Sequence, residues 1–238
     1  MTARERVTRA MILAAGRGER MRPLTLTCPK PLLEAGGRPL IVWHLERLAR
    51  AGVTDVVVNL SWLGERIPAA LGDGSGFGLR LHYVDEGPEP LETGGGIVNA
   101  LAHFGEGPFA VVNGDVWTDA PVPLAPAPGR LAHLVLVPNP PQHPRGDFGL
   151  EAGECRYDGP RRHTFSGIAS YRPELFRGQP PGKRPLKPLL DRAIHAGLAT
   201  AELYRGRWTD VGTPERLAAL DAELRGAAPR GADRAASA

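Results

Sequence analysis

Lysine is scarce in this chain: of 29 basic residues only Lys30, Lys183 and Lys187 are lysines, and the arginines are scattered rather than clustered. Aromatic residues make up 6% and are not interleaved with the basic ones, so the net charge of +3 does not mark a nucleic-acid surface. A mild positive balance suits an enzyme that gathers polyphosphates. Cysteine is nearly absent. Cys28 and Cys155 lie far apart and neither belongs to a Cys-x-x-Cys pair, so neither a disulfide framework nor a zinc cluster can be built from them. The seven histidines occur singly, which excludes a histidine-rich metal centre. No apolar run approaches the roughly 20 residues needed to span a bilayer. The polar stretch from Met1 to Arg9 is followed by an apolar run that breaks at Gly16, too short for the core of a signal peptide. A cytoplasmic protein is expected, with small-molecule partners and neither nucleic acid nor membrane among them.

What is present is enough apolar material, 42% of 238 residues, for a core covering both faces of a sheet. Ala10–Ala14, Val56–Val58, Leu79–Val84 and Phe109–Val112 read as strands. Pro39–Arg50 has apolar residues at helical spacing with Gly52 just past its end, Trp62–Leu71 reads as a second helix and Gly96–Phe104 as a third. This alternation predicts an α/β fold: a Rossmann-like, doubly wound, mostly parallel mixed sheet with helices on both faces. Ligands bind such sheets beyond the carboxyl ends of the strands. After the Pro/Ala-rich connector 120–129 the pattern loosens. Leu131–Val137, Thr164–Tyr171 and Arg207–Val211 read as strands, and Pro185–Ala196 as a helix. Thr213 is placed to cap a last helix reaching Leu224. One domain over 1–225 is expected, with a nucleotide-binding half about 9–119, a sugar-phosphate-binding half about 130–225, and a disordered tail over 226–238.

The densest chemistry lies in Leu13-Ala14-Ala15-Gly16-Arg17-Gly18-Glu19-Arg20-Met21-Arg22-Pro23, followed by Pro29-Lys30-Pro31. A strand running into Gly-x-Gly lets backbone N–H groups close on phosphate oxygens, because no Cβ obstructs the approach. Arg17, Arg20 and Arg22 add donors suited to phosphate, and two prolines restrict the backbone of Lys30. The third glycine of a dinucleotide fingerprint is missing, as is a Walker A pattern. Asp115 follows a buried strand at the carboxyl edge of the sheet, where an unpaired carboxylate is costly unless a cation meets it. Taken alone, Asp115 also fits a turn cap, Asp210 an ordinary turn residue, and Asp119 a turn cap. Gly94–Gly96 reads either as a flexible loop or as backbone lying flat against a base edge. Cys28 reads as a small packing residue.

These segments resemble the sugar-1-phosphate nucleotidyltransferases, whose signature is Leu-x-x-Gly-x-Gly-x-Arg-(Leu/Met) followed by Pro-Lys. The match runs from about Arg9 to Leu224. Pro90-Leu91-Glu92-Thr93-Gly94-Gly95-Gly96-Ile97 resembles the segment holding the base and ribose, Asn113-Gly114-Asp115 the loop whose Asp binds Mg²⁺, and Trp208-Thr209-Asp210-Val211-Gly212-Thr213 the motif whose Asp completes the metal site. Residues 113–119, Arg145-Gly146-Asp147-Phe148 and 164–168 look most like the N-acetylmuramate-1-phosphate uridylyltransferases of cell-wall recycling.

The resemblance implies transfer of a uridylyl group from UTP to a sugar 1-phosphate, with release of pyrophosphate. The implied catalytic residues are Arg20, Lys30 and Asp115, with Mg²⁺ on Asp115 and Asp210. The nucleotide would lie against Leu13, Ala14, Ala15, Gly16, Gly18, Glu19, Arg20, Lys30, Glu92, Thr93, Gly94 and Asn113. The sugar phosphate would meet Arg145, Asp147, Gly149 and Ser166, with Arg145 beside the lactyl carboxylate of a muramyl acceptor or, equally, a solvated loop residue. One departure stands out. Many relatives carry Glu-Lys-Pro between the halves, where this chain has Asp158-Gly159-Pro160-Arg161-Arg162. Arg161, Arg162 and Lys187 are therefore the candidates for the acceptor phosphate. The alternatives are a thymidylyl- or uridylyltransferase acting on glucose 1-phosphate, a mannose-1-phosphate guanylyltransferase, a glycosyltransferase, or a non-catalytic nucleotide-sensing subunit. The absence of Asp-x-Asp argues against the glycosyltransferase. The presence of Lys30 and both aspartates argues against the sensor.

Overall fold

The computed structural model describes residues 5–159 and 161–226. The expected tail lies outside them from residue 227, while Gly226 closes the last helix. The chain begins with β1 (Arg9–Leu13), a hairpin of β2 (Glu34–Ala35) and β3 (Arg38–Pro39), and α1 (Leu40–Arg50). Then come β4 (Asp55–Leu60), α2 (Arg66–Leu71), β5 (Arg80–Asp85), α3 (Glu92–Ala100) and β6 (Phe109–Asn113). β1 lies between β4 and β6, all parallel, with Met11 level with Val57 and Val111. Alternation along β1 explains the layers: Ala10 and Ile12 pack with Ile41, Leu45 and Leu48 of α1, whereas Met11 packs with Ile97 and Ala100 of α3. α1 stops at Gly52, whose φ of 86° continues the chain in the left-handed region that glycine tolerates.

The second half adds β7 (Val116–Thr118), β8 (Ala132–Val137), β9 (Phe148–Glu151), β10 (Glu154–Arg156) and β11 (Arg162–Tyr171). It ends with α4 (Lys187–His195), β12 (Ala199–Leu203), β13 (Trp208–Asp210) and α5 (Pro214–Gly226). Among the described residues one nine-stranded sheet runs β5-β4-β1-β6-β11-β8-β12-β10-β9. The expected α/β sheet is thus present, its uninterrupted parallel run confined to the first half. Beyond β6 most neighbours are antiparallel, β8 and β12 excepted. β7 and β13 pair separately, as do β2 and β3. No helix among the described residues is long and apolar enough to cross a membrane.

Two helices differ from expectation. Residues 62–65 form turns rather than the first turn of α2: Leu63 has a φ of 51°, and Trp62 Nε1 donates to Thr25 O at 2.9 Å. α3 begins at Glu92, so Gly94–Gly96 are not a loop but three buried residues near the start of a helix. Their smallness serves packing. A Cβ on Gly95 would lie 2.5 Å from Gly182 O, one on Gly94 2.8 Å from Pro185 O, and one on Gly96 2.5 Å from Glu86 Oε1. Gly→Ala inside a helix ordinarily stabilises, but here the Cβ would meet backbone. Gly95→Ala is expected to destabilise by about 1–3 kcal/mol. Urea unfolding checks this, and an unchanged or raised midpoint would show that the 182–185 segment yields freely.

Candidate active site

The loops beyond β1, β4, β5 and β6 enclose a cavity of about 490 Å³. Leu13, Ala14, Ala15, Gly16, Gly18, Glu19, Arg20, Lys30, Glu92, Thr93, Asn113 and Asp115, all singled out from the sequence, line it together. Within the first loop the two glycines differ. Gly16 has open space where a Cβ would project, leaving its backbone free for a ligand. Gly18 has a φ of 61°, and a Cβ there would strike Thr25 Cγ2 at 2.8 Å. Thr25 Oγ1 donates to Gly18 O at 2.8 Å, closing the loop on itself. Met21, Leu33, Trp117, Val211 and Leu217 share a small apolar core, which ties this loop to β7 and α5.

Lys30 opens a short 3₁₀ turn (Lys30–Leu32) and is only 8% exposed. Its Nζ donates to Asp115 Oδ2 at 2.8 Å. Asp115 reaches this place because Gly114 crosses the end of β1: its N–H bonds to Leu13 O at 2.9 Å, and a Cβ would lie 2.7 Å from that oxygen. β7 then carries Val116 opposite Asp210 of β13, and Val211 N–H donates to Asp115 O at 2.9 Å. This strand pair brings the Asp210 segment beside that of Asp115, although Asp210 itself, unlike Asp115 and Gly212, does not line the cavity. Behind it, His44 Nε2 bonds to Val116 O at 2.7 Å and Arg47 donates to Ala120 O at 2.6 Å. Burial, helped by the Arg47 charge, pushes the His44 pKa down to about 3, so the ring is neutral and Nε2 carries the proton donated to Val116 O. Cys28 packs at the edge of this region as a free thiol whose pKa burial raises, which fits the packing role.

Two wall residues escaped the sequence reading. Asn59, one residue before the end of β4, accepts the Ala14 N–H at 2.7 Å and donates to Glu86 Oε1 at 2.7 Å. Glu86 accepts the Leu91 N–H through its other oxygen at 2.7 Å. This chain of bonds locks the phosphate-type loop to the start of α3. The signal was available: a polar residue closing the apolar run Val56–Val58 at the carboxyl edge of the sheet.

A second cavity, about 670 Å³, shares Glu92, Thr93 and Asn113 with the first and extends over Asp147, Phe148, Tyr157, Arg162, Phe165 and Lys187. Arg162 donates to Asp147 O, and Lys187 Nζ sits 2.9 Å from both Asp191 oxygens and 4.9 Å from the Tyr157 ring centre. Asp147 is on this wall, but Oδ2 accepts the Phe165 N–H at 2.8 Å and Oδ1 meets His143 at 3.0 Å. Arg145, Gly149 and Ser166 line neither cavity. Arg145 is exposed. Gly149 is small because a Cβ would meet Asp158 O at 2.3 Å. Ser166 is fully buried, donating to Val135 O at 2.7 Å and accepting the Ile168 N–H at 3.2 Å, where it stabilises a bulge in β11. Gly94 lines neither cavity for the packing reason given above. Of the acceptor-phosphate candidates, Arg162 and Lys187 face the second cavity, while Arg161 lies in another with His163 and Arg205.

A glycine loop, a lysine and an aspartate at the carboxyl edge of an α/β sheet define a site for phosphoryl chemistry on a nucleotide. Residues 9–135 match the nucleotidyl transferase family, and the chain belongs to it. It is 48% identical to an N-acetylmuramate alpha-1-phosphate uridylyltransferase of Neisseria meningitidis, over 88% of this chain and 95% of that one. It is 35% identical to the protein of the same name from Caulobacter vibrioides, over 90% and 96%. Its fold matches a Bacillus anthracis crystal structure assigned as a glucose-1-phosphate thymidylyltransferase in complex with a sucrose. The TM-score is 0.78 at 20% identity, covering 91% of this chain and 95% of that one.

Proposed function

We propose that this chain transfers a uridylyl group from UTP to N-acetylmuramic acid 1-phosphate, releasing pyrophosphate, in the cytoplasm and in the recycling of peptidoglycan sugars. The observation that carries this reading is the pair of cavities sharing Glu92, Thr93 and Asn113, with Lys30 and Asp115 in the wall of the first. The names of the two similar uridylyltransferases support the choice of base and sugar. The triphosphate lies against the amides of Gly16–Gly18 and Arg20. A sugar-phosphate oxygen attacks the α-phosphorus, the new P–O bond forms, and the bond to the pyrophosphate oxygen breaks. That nucleophile is already anionic, so no general base is required. Catalysis is alignment of the two phosphates and neutralisation of the charge that grows between them. Lys30, held beside the reacting centre by Asp115, provides part of that neutralisation.

Asp115 and Asp210 offer oxygen donors only, which fits Mg²⁺ better than a softer metal. Mg²⁺ prefers one or two carboxylates with the remaining positions given to phosphate and water. Bound there, it would supply positive charge shared by the two phosphates. Among the described residues no group of three or more His, Cys, Asp or Glu side chains competes for a metal.

The acceptor carries a phosphate at one end and a lactyl carboxylate at the other, and Arg162 and Lys187 are the cations on its wall. The test is pyrophosphate release over a grid of NTPs and sugar 1-phosphates. UTP with N-acetylmuramic acid 1-phosphate is expected to give the highest kcat/KM, about tenfold to a hundredfold above N-acetylglucosamine 1-phosphate. Equal use of the two sugars would refute the assignment. Arg162→Ala should erode that preference and Arg145→Ala should leave it intact, because only Arg162 lines the cavity.

A further inference from the structure

The segment Trp208–Thr213 enters α5 through Thr213, whose Oγ1 accepts the Arg216 N–H at 3.4 Å. This sets Arg216 in the first helical turn, with its guanidinium folded back over the motif. Gly212 makes the room: a Cβ there would lie 2.5 Å from an Arg216 terminal nitrogen and 3.1 Å from Asp210 Oδ1. Arg216 donates end-on to Asp210 Oδ2 at 2.6 Å, and the two side chains are only 26% and 27% exposed. Oδ2 is thereby occupied. Oδ1 lies toward Gly212, which lines the nucleotide cavity, and has no hydrogen-bond partner among the described residues. Across the β7–β13 pair, Lys30 Nζ meets Oδ2 of Asp115 at 2.8 Å.

We propose that Arg216 is a positioning residue for nucleotidyl transfer: by gripping one oxygen of Asp210 it presents the other to the divalent cation that accompanies the nucleotide. A carboxylate without that grip would rotate among several orientations, few of which aim at the cavity. The Gly-Thr pair after the aspartate then has a physical purpose, Thr213 fixing the start of the helix and Gly212 clearing the path of the guanidinium. The inference rests on Asp210 being a metal ligand, as in the proposed function, and the experiment separates the two.

Calorimetric titration of UTP at a series of Mn²⁺ concentrations, on the native enzyme and on Arg216→Ala, Arg216→Lys and Asp210→Asn, measures how much metal is needed to promote nucleotide binding. Arg216→Ala should require about tenfold more Mn²⁺, as expected when the partner of a metal ligand is removed. Its affinity for UTP without metal should not change, and Arg216→Lys should recover most of the loss. An unchanged Mn²⁺ requirement in Arg216→Ala, or a lowered one showing that Arg216 competes with the metal, would overturn the positioning role. If Asp210→Asn also leaves the requirement unmoved, the reading of Asp210 as a ligand falls as well. If Asp210→Asn raises it, the loss is confined to Arg216.

Discussion

Asp115→Asn is expected to lower kcat by about a thousandfold or more while leaving the thermal unfolding midpoint nearly unchanged. Asparagine has the shape of aspartate, and its Oδ1 can still accept from Lys30 Nζ, now 2.8 Å from the carboxylate. The backbone that places the residue is set elsewhere, by the Gly114 N–H on Leu13 O and the Val211 N–H on Asp115 O. The substitution thus removes charge and little else. The carboxylate is 36% exposed, so most of what its ion pair contributes to stability is screened by water. Steady-state kinetics beside a calorimetric melt checks both halves. Retention of most activity, or loss of activity only through unfolding, would remove Asp115 from the chemistry.

Lys30→Met should lower kcat by about a hundredfold or more and raise KM for UTP only a few-fold. Methionine nearly preserves the apolar stem, which matters because Lys30 is almost buried and its Cβ packs 3.3 Å from the place a Gly18 Cβ would occupy. The asymmetry between kcat and KM follows from timing: charge on the transferring phosphate is greatest at the transition state, so a cation there stabilises it more than the bound substrate. An effect confined to KM would reduce Lys30 to a substrate-binding residue. Leaving Asp115 without its cation also makes an independent readout. In the variant, Asp115 should hold Mn²⁺ more tightly, because the ammonium now on Oδ2 no longer competes.

The elements legible in the sequence are those whose signal is local. β1, β4 and β6 are runs of apolar residues buried on both faces, and α1 carries its stripe at helical spacing with Gly52 at its end. The missed strands are different in kind. β12 is Ala-Thr-Ala-Glu-Leu, without strong strand propensity, and exists because it pairs with β8 in parallel register. β7, three residues long, is held by β13 and by His44 from α1. The triple glycine was misread because glycine signals both flexibility and close packing, and only the neighbouring 182–185 backbone decides between them.

The sequence by itself determined the phosphate-type loop from Leu13 to Arg20, the proline-bracketed Lys30 and Asp115 at a strand end. Each is a short segment whose backbone chemistry is written in adjacent residues. Only the tertiary structure decided that Asn59 and Glu86 join the wall, that Arg162 and Lys187 rather than Arg161 or Arg145 face the second cavity, that Ser166 and Gly149 are structural, and that Arg216 grips Asp210. These depend on contacts between distant segments, or on which side of a strand or helix a residue faces after packing. Arg161 and Arg162 are neighbours in the chain, yet Arg162, which opens β11, faces one cavity while Arg161 before it and His163 after it line another. A hydrogen bond joining residues 45 positions apart, as between Ala14 and Asn59, leaves no mark on either neighbourhood alone.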